Sequence, residues 1–365
     1  MNEKLMEPSQ AASSNFSMLD EMVGDHLAGP AVYRASAHWE RLNKLNTDWL
    51  KKDGLENFKR TVNNNYFNWM ISARAPYFRK VAKSFFRSLL RRPMNILQLI
   101  TTKHIASMYH RTYASSDTRS SFFGRCIYTY YLLFLYLFVK KQDRLGLLKD
   151  IEEPVTGNPI CINVGGKRIS QDISNSYLEY SYIRDALKDE FPGIRVIAEI
   201  GGGYGRLSYL FHLFHQKEDV KIVLVDLPPA LFVAQWYLST VFPTAKIMAY
   251  RNFSEFSEIQ EIFDDSSICF LLPHQLEKLP SDKIDLLINV SSLHEMSRNQ
   301  INHYYDLIET KCRFFYTKQY VLWENPDDKI SVPAVIYPTR PNWDLMGARM
   351  NPVHEEFFEA MFRVR

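Results

Sequence analysis

Along residues 194–214 the spacing of apolar positions changes from that of a buried strand to that of a helix. Val196 to Ile200 is an apolar run that carries Glu199, and Leu207 to Phe214 repeats with helical spacing. Gly201, Gly202, Gly203 and Gly205 stand between them, so the pattern predicts a strand, a tight loop and a helix start. The alternation continues downstream. Lys221–Val225, Ser267–Leu272, Ile284–Val290, Phe314–Trp323 and the segment around Glu356–Val364 have the length and β-branched or aromatic content of strands. Helical stretches run from Pro228 through Leu238 and from Arg298 to Lys311. Ala245–Tyr250 competes with Ser267–Leu272 for the third strand, and the second is preferred because it is more apolar. Strands alternating with helices predict an α/β fold around a mostly parallel sheet. Residues 326–352 read as a loop whose length points to function or to an unrecognised element.

The first 150 residues have a different pattern. Residues 1–18 are polar and Ser-rich and read as a flexible tail; 19–156 then read as a helical N-terminal region, ahead of the α/β domain at 157–365. Val81, Ala82, Phe85, Phe86, Leu89 and Leu90 alternate with Arg79, Lys83, Arg87 and Arg91, which predicts an amphipathic basic helix over 79–92. It is read as a solvated face, with an anionic partner or acidic membrane surface as the sharper alternative. Cys126–Val139 is the most apolar run. It is shorter than the roughly 20 residues a membrane span needs, so it predicts a buried helix, with peripheral membrane contact as the alternative. Gly165-Gly166 between two short β-rich runs predicts a two-residue hairpin, and Gln171–Leu187 a helix rich in Asn, Ser and Tyr, placed over the cofactor mouth.

Composition narrows the function classes. The chain has 365 residues, 46% of them hydrophobic, enough for a sizeable core. A net charge of +3 is too mild for a nucleic-acid footprint. The four cysteines are scattered without metal-ligand spacing, so no metal is expected and a reducing cytoplasm is the natural compartment. The N-terminus has no apolar stretch of the kind that directs export.

The candidate chemistry begins at the glycine loop. Without β-carbons the backbone can approach a ligand, and the free N–H groups of the helix start face it. A dinucleotide fingerprint would need a third glycine where Arg206 stands; the spacing present is acidic-x-Gly-x-Gly-x-Gly, from Glu199 to Gly205. This is similar to the first motif of the class I S-adenosylmethionine methyltransferases. Asp226 ends the second strand, where a carboxylate can accept both hydrogen bonds of a ribose diol. Gln275, following the third strand, is placed near an adenine. VDLPPAL resembles the turn after the second strand of small-molecule O-methyltransferases, and His294, Glu295 and Met296 occupy the place of their histidine, acidic residue and aromatic, with Met for the aromatic.

Together EIGGGYGRL, VDLPPAL, INVSSLHEM, the lead-in GNPICINVGGKRISQD and the YPTRPNW stretch resemble a group of bacterial sugar O-methyltransferases, from Gly157 to the C-terminus. The resemblance implies a Rossmann-like class I methyltransferase fold with a mostly parallel seven-stranded sheet. It implies S-adenosylmethionine as cofactor, held by Glu199, Gly201, Gly202, Gly203, Gly205, Asp226, Leu227, Gln275 and Asn289. It also implies methyl transfer to a sugar or glycan hydroxyl in surface polysaccharide or glycoconjugate synthesis. His294 is the expected general base, with Glu295 orienting it or sharing the work. The rival readings are transfer to a non-sugar small molecule, an NAD-dependent sugar-modifying enzyme, and a methyltransferase-like binding protein without turnover.

Overall fold

The computed structural model describes residues 8–60, 122–324, 331–333, 337, 340–354 and 356–364. The basic helix expected over 79–92 lies outside the described residues.

Helix α1 (Pro8–Ala28) begins inside the segment expected to be a tail. Its apolar positions hold it down: Leu19 and Met22 are buried, and Phe16 packs on Phe232 with ring centroids 5.9 Å apart. Helix α2 (Ala37–Asp53) starts at Ser36, whose hydroxyl accepts from the Trp39 N–H, and stops at Gly54 in the left-handed region. Helix α3 (Phe122–Gln142) contains the most apolar run, and Leu132, Leu135 and Val139 are buried. Among the described residues no helix is long and apolar enough to cross a membrane. Strands β1 (Ile162–Val164) and β2 (Lys167–Ile169) form the expected hairpin, with Gly165 and Gly166 both at positive φ as its two-residue turn requires. Helix α4 (Gln171–Leu187) follows at once.

The sheet is built from β3 (Val196–Ile200), β4 (Lys221–Val225), β5 (Ile247–Met248), β6 (Ile268–Leu271), β7 (Ile284–Val290), β8 (Cys312–Tyr320), β11 (Asp344–Met350) and β12 (Phe357–Arg363), in the order β11-β12-β8-β7-β3-β4-β6-β5. A short hairpin, β9 (Leu322–Glu324) with β10 (Ser331–Pro333), stands apart. Only β12 runs against its sheet; it pairs antiparallel with both β8 and β11. The sheet thus has eight strands rather than seven. Both candidates for the third strand are strands: β6 lies beside β4, and β5 adds two residues at the edge. The stretch 326–352, expected as a loop, contains β11, which lacks the apolar alternation of a buried strand because it is an edge.

The crossover helices are α5 (Arg206–His215), α6 (Pro228–Val241), the short α7 (Gln260–Asp265) and α8 (Arg298–Lys311). Because successive strand residues point to opposite faces, each strand feeds two cores. Ile197, Leu224, Leu286 and Phe314 pack under α3–α6. Ala198, Val223, Leu287 and Phe315 pack under α8. The parallel register aligns Ile200 with Val225 on one side and with Asn289 on the other. Gly201, Asp226 and the residues after Asn289 are therefore neighbours at the carboxyl edge, where strand order reverses about β3.

Candidate functional site

At that edge lies a cavity with about 940 Å³ of empty space, mouth included, within the roughly 300–1,000 Å³ of small-molecule sites. Its floor is Ile200, Gly201, Gly203, Val225, Asp226, Leu227 and Val290, and its far wall includes Ser291, Ser292, Glu295, Met296 and Tyr304. The roof comes from far away in the chain: Tyr33, Arg34, Ser36, Trp39 and Asn43. Four bonds hold this roof in place. Trp39 Nε1 donates to Glu295 Oε2 at 2.8 Å, Tyr33 donates its hydroxyl hydrogen to Glu277 at 2.6 Å, His303 Nε2 lies 2.8 Å from the Tyr33 hydroxyl, and Gln300 donates to the Arg34 carbonyl at 2.9 Å. No sequence periodicity predicted these roof residues, because their contact with Glu295 spans more than 250 positions.

The four glycines divide by role. Gly201 (φ 68°) and Gly203 (φ 59°) line the cavity in the left-handed region. A Cβ on Gly201 would come within 2.2 Å of the Ser292 hydroxyl. Gly202 and Gly205 do not line it; a Cβ on either would press on Leu224, beside Glu199 for Gly202 and Leu238 for Gly205. They are packing glycines. Glu199 likewise turns away: it is buried and accepts from the Ser208 N–H at 3.2 Å and hydroxyl at 2.6 Å, tying strand β3 to the start of α5. Burial lifts its carboxyl to about 7.

Asp226 stands where the sequence placed it. Its carboxylate accepts from Gly203 N–H at 2.7 Å and Leu227 N–H at 2.6 Å, which fixes the glycine loop against the end of β4. Burial nevertheless raises its carboxyl to about 7, against those two bonds. Leu227 also faces the cavity. Gln275 and Asn289 do not. Gln275 is fully buried, accepting from Leu272 N–H and donating to the Arg251 carbonyl, so the turn after β6 consumes its amide; Pro273 takes the place at the wall. Asn289 bonds the Ile200 carbonyl and Ser292 with its amide hydrogens and accepts from Gln319 and Leu293, which stitches β7 to β3 and β8.

The expected catalytic pair is split by burial. His294 is 1% exposed and outside the cavity lining. Its Nδ1 donates to Gln319 Oε1 at 2.9 Å, and Tyr320, Trp323 and Phe357 surround the ring. Desolvation pushes it down to about 4. Its Nε2 has no hydrogen-bond partner and lies 3.7 Å from Glu295 Oε1. Glu295 is the member that faces the cavity, and burial lifts its carboxyl to about 8, with the nearby Asp226 adding to the rise. Ser291, at positive φ without being glycine, marks the same turn as strained.

Helix α4 contributes nothing to the lining, contrary to its expected place over the mouth. Its polar side chains are spent inside. Arg206 makes paired bonds to Glu179 at 2.6 and 3.1 Å and one to Ser176, while Lys318 reaches the same carboxylate at 2.8 Å. Burial opposes the Glu179 charge, but the two cations outweigh it and hold the carboxyl at about 2. Arg206, standing where a dinucleotide fold needs glycine, is thus a structural ion. Among the described residues no group of three His, Cys, Asp or Glu side chains could hold a metal.

No protein-family model matches the sequence, and no curated protein matches it significantly. Among solved structures it is similar to human N-acetylserotonin methyltransferase in complex with S-adenosylmethionine, at 13% identity over 53% of this chain and 55% of that one, TM-score 0.32. A mitomycin 7-O-methyltransferase gives 14% identity over 52% and 56%, also at 0.32. The chain spans about half the length of both. Likeness at this level carries nothing about substrate. The strand order, the single antiparallel strand and the glycine loop after β3 make the fold Rossmann-like, of the class I methyltransferase kind.

Proposed function

We propose that the chain is an S-adenosylmethionine-dependent O-methyltransferase. The observation that carries this reading is a pair of carboxyls, Asp226 and Glu295, in one otherwise largely apolar cavity beside a glycine loop. Both carboxyls are lifted toward or past neutrality by burial, so a cation entering the cavity would gain from ionising them. S-adenosylmethionine brings a cationic sulfonium and supplies an activated methyl. Gly201 and Gly203 would lie against its methionine part. Each Asp226 oxygen keeps a lone pair for a ribose hydroxyl beyond its backbone bond. Glu295 is the candidate base for the acceptor hydroxyl, since a carboxyl titrating near the working pH is suited to taking a proton. His294 stands behind it as a positioning residue, held by Gln319.

The finer reading is transfer to a sugar or glycan hydroxyl, for which the support is the sequence resemblance over residues 157–365. A non-sugar small molecule fits the cavity equally well. An NAD-dependent enzyme is disfavoured by Arg206, whose buried ion pairs occupy the fingerprint position. Calorimetric titration with S-adenosylmethionine and NAD tests the cofactor. Asp226→Ala is expected to weaken S-adenosylmethionine by about 1.5–3 kcal/mol, the scale of a lost bond to a charged group. Unchanged affinity, or tighter NAD binding by the wild type, rejects the proposal. Labelled S-adenosylmethionine with a panel of glycosides and other alcohols then tests the acceptor.

A further inference from the structure

A second cavity opens beside the first, between α1, α2 and the start of α6. The two share Arg34, Ala35 and Asn43 in their walls, so they meet at the roof. Helix α2 serves both by its period: Trp39 and Asn43 face the first cavity, while Glu40, Lys44, Thr47 and Asp48 lie along the second. The floor is apolar, from Leu19, Val23, Pro228 and Pro229. Two polar atoms point to a ligand. His26 lines this cavity at 7% exposure with Nδ1 unpartnered, and the buried Asn43 Oδ1 at the junction is unpartnered too. Buried polar atoms are ordinarily hydrogen-bonded, and a ligand with hydroxyl groups would satisfy both.

We infer that this second cavity is the acceptor chamber, and that its ligand is a neutral polyhydroxylated small molecule with an apolar face rather than a phosphorylated one. The inference rests on the methyltransferase reading of the adjoining cavity. The charge class follows from the walls. Asp20, Glu40 and Asp48 outnumber Arg34 and Lys44, and burial keeps His26 neutral by pushing it down to about 4. A phosphate would meet three carboxylates there. A neutral polyol could instead donate to the carboxylates and accept from Lys44 and Arg34, with its C–H face on the prolines and Val23. The shared wall at Asn43 leads it toward Glu295.

Filling the chamber tests this. Thr47→Trp and Val23→Trp project bulk into it from opposite helices, and Thr47→Ser is the conservative control. The probes are methyl hexosides, methyl 6-deoxyhexosides and hexose 6-phosphates with labelled S-adenosylmethionine. The wild type should label a neutral member at least tenfold faster than its phosphate. Both Trp variants should bind S-adenosylmethionine within twofold of wild type by calorimetry, yet transfer at least tenfold more slowly, while Thr47→Ser keeps its rate. Undiminished transfer in both Trp variants overturns the location. Preference for the phosphates, or no neutral member labelled by a wild type that binds the cofactor, overturns the ligand class. A wild type that does not bind S-adenosylmethionine rejects the underlying reading itself.

Discussion

The affinity of the protein for S-adenosylmethionine should rise steeply with pH around neutrality. In the free protein burial lifts Asp226 to about 7 and Glu295 to about 8. Moving Asp226 from its ordinary 3.8 to about 7 amounts to about 4 kcal/mol of disfavoured charge. No cation lies close enough to remove that penalty; the hydrogen bonds from Gly203 and Leu227 offset it only in part. A cationic ligand selects the ionised carboxyls, so binding expels the protons they hold. Affinity is therefore weak below the free-protein values, climbs through them and levels off above.

The size follows from the two values. If Asp226 alone must ionise, binding at pH 6 is about eightfold weaker than at pH 7.5; if Glu295 must ionise as well, the loss approaches about two-hundredfold. The upper limit of pH 7.5 stays below the ordinary titration of the cofactor's own α-amino group, near 7.7–8.0. Calorimetry in two buffers of different ionisation enthalpy counts the protons released, and about one to two are expected at pH 6.5. Glu295→Gln should remove the steeper part of the dependence and leave the part due to Asp226. A flat affinity between pH 6 and 7.5, with no proton release, would refute the claim that these carboxyls await a cation.

Three further outcomes are expected. Glu295→Ala should lower kcat by about 10² or more with little change in cofactor affinity. His294→Ala should lower stability by about 2 kcal/mol or more, because it empties a site among Tyr320, Trp323 and Phe357, and should cost less in kcat than the Glu295 change; kinetics and urea unfolding on the same samples separate the two. Arg206→Met should destabilise by about 3–5 kcal/mol by leaving the fully buried Glu179 with Lys318 as its remaining cation, measured by urea unfolding, whereas a loss under about 1 kcal/mol would show the pair to be dispensable. Gly201→Ala should abolish cofactor binding in calorimetry while the circular dichroism spectrum stays native, given the clash with Ser292.

Much of the fold was legible because its information is local. Strand β3, the glycine loop and α5 differ in period over adjacent residues, and a hairpin at Gly165-Gly166 needs only two positive-φ residues. Asp226 was legible for the same reason: a strand end plus a proline-opened helix determines where its carboxylate sits. What escaped was long-range. The roof from Tyr33 to Asn43 belongs to a stretch whose local pattern says only helix, and the helix of Pro8–Ala28 is held by Phe232 and Gln235, more than 200 positions away. Edge strand β11 was hidden because one flank has no partner, so its burial alternates weakly.

Gln275, Asn289 and Glu199 show a subtler limit. Each sits at the correct end of the correct strand, yet each is consumed by backbone groups that the tight connections leave unpaired: Leu272 N–H, the Ile200 carbonyl and Ser208 N–H. A polar residue at a strand's carboxyl end can serve a ligand or the turn itself, and residue type does not distinguish them. His294 and Glu295 pose the same problem at its sharpest. They are adjacent in one turn of 3-10 helix, Leu293–Glu295, so their side chains diverge by about a third of a turn, and a single-residue choice of which faces the cavity reverses their roles. The choice is made by Gln319, which anchors the histidine ring, and by Trp39, which draws the carboxylate toward the roof. Trp39 also supplies an aromatic ring at the cavity where Met296 replaces the expected aromatic. If Trp39 is what turns Glu295 outward, Trp39→Phe should keep the ring, lose the 2.8 Å bond and shift the pH profile of kcat upward, because that bond lowers the carboxyl. An unshifted profile with normal cofactor affinity would mean that the turn alone sets the orientation of Glu295.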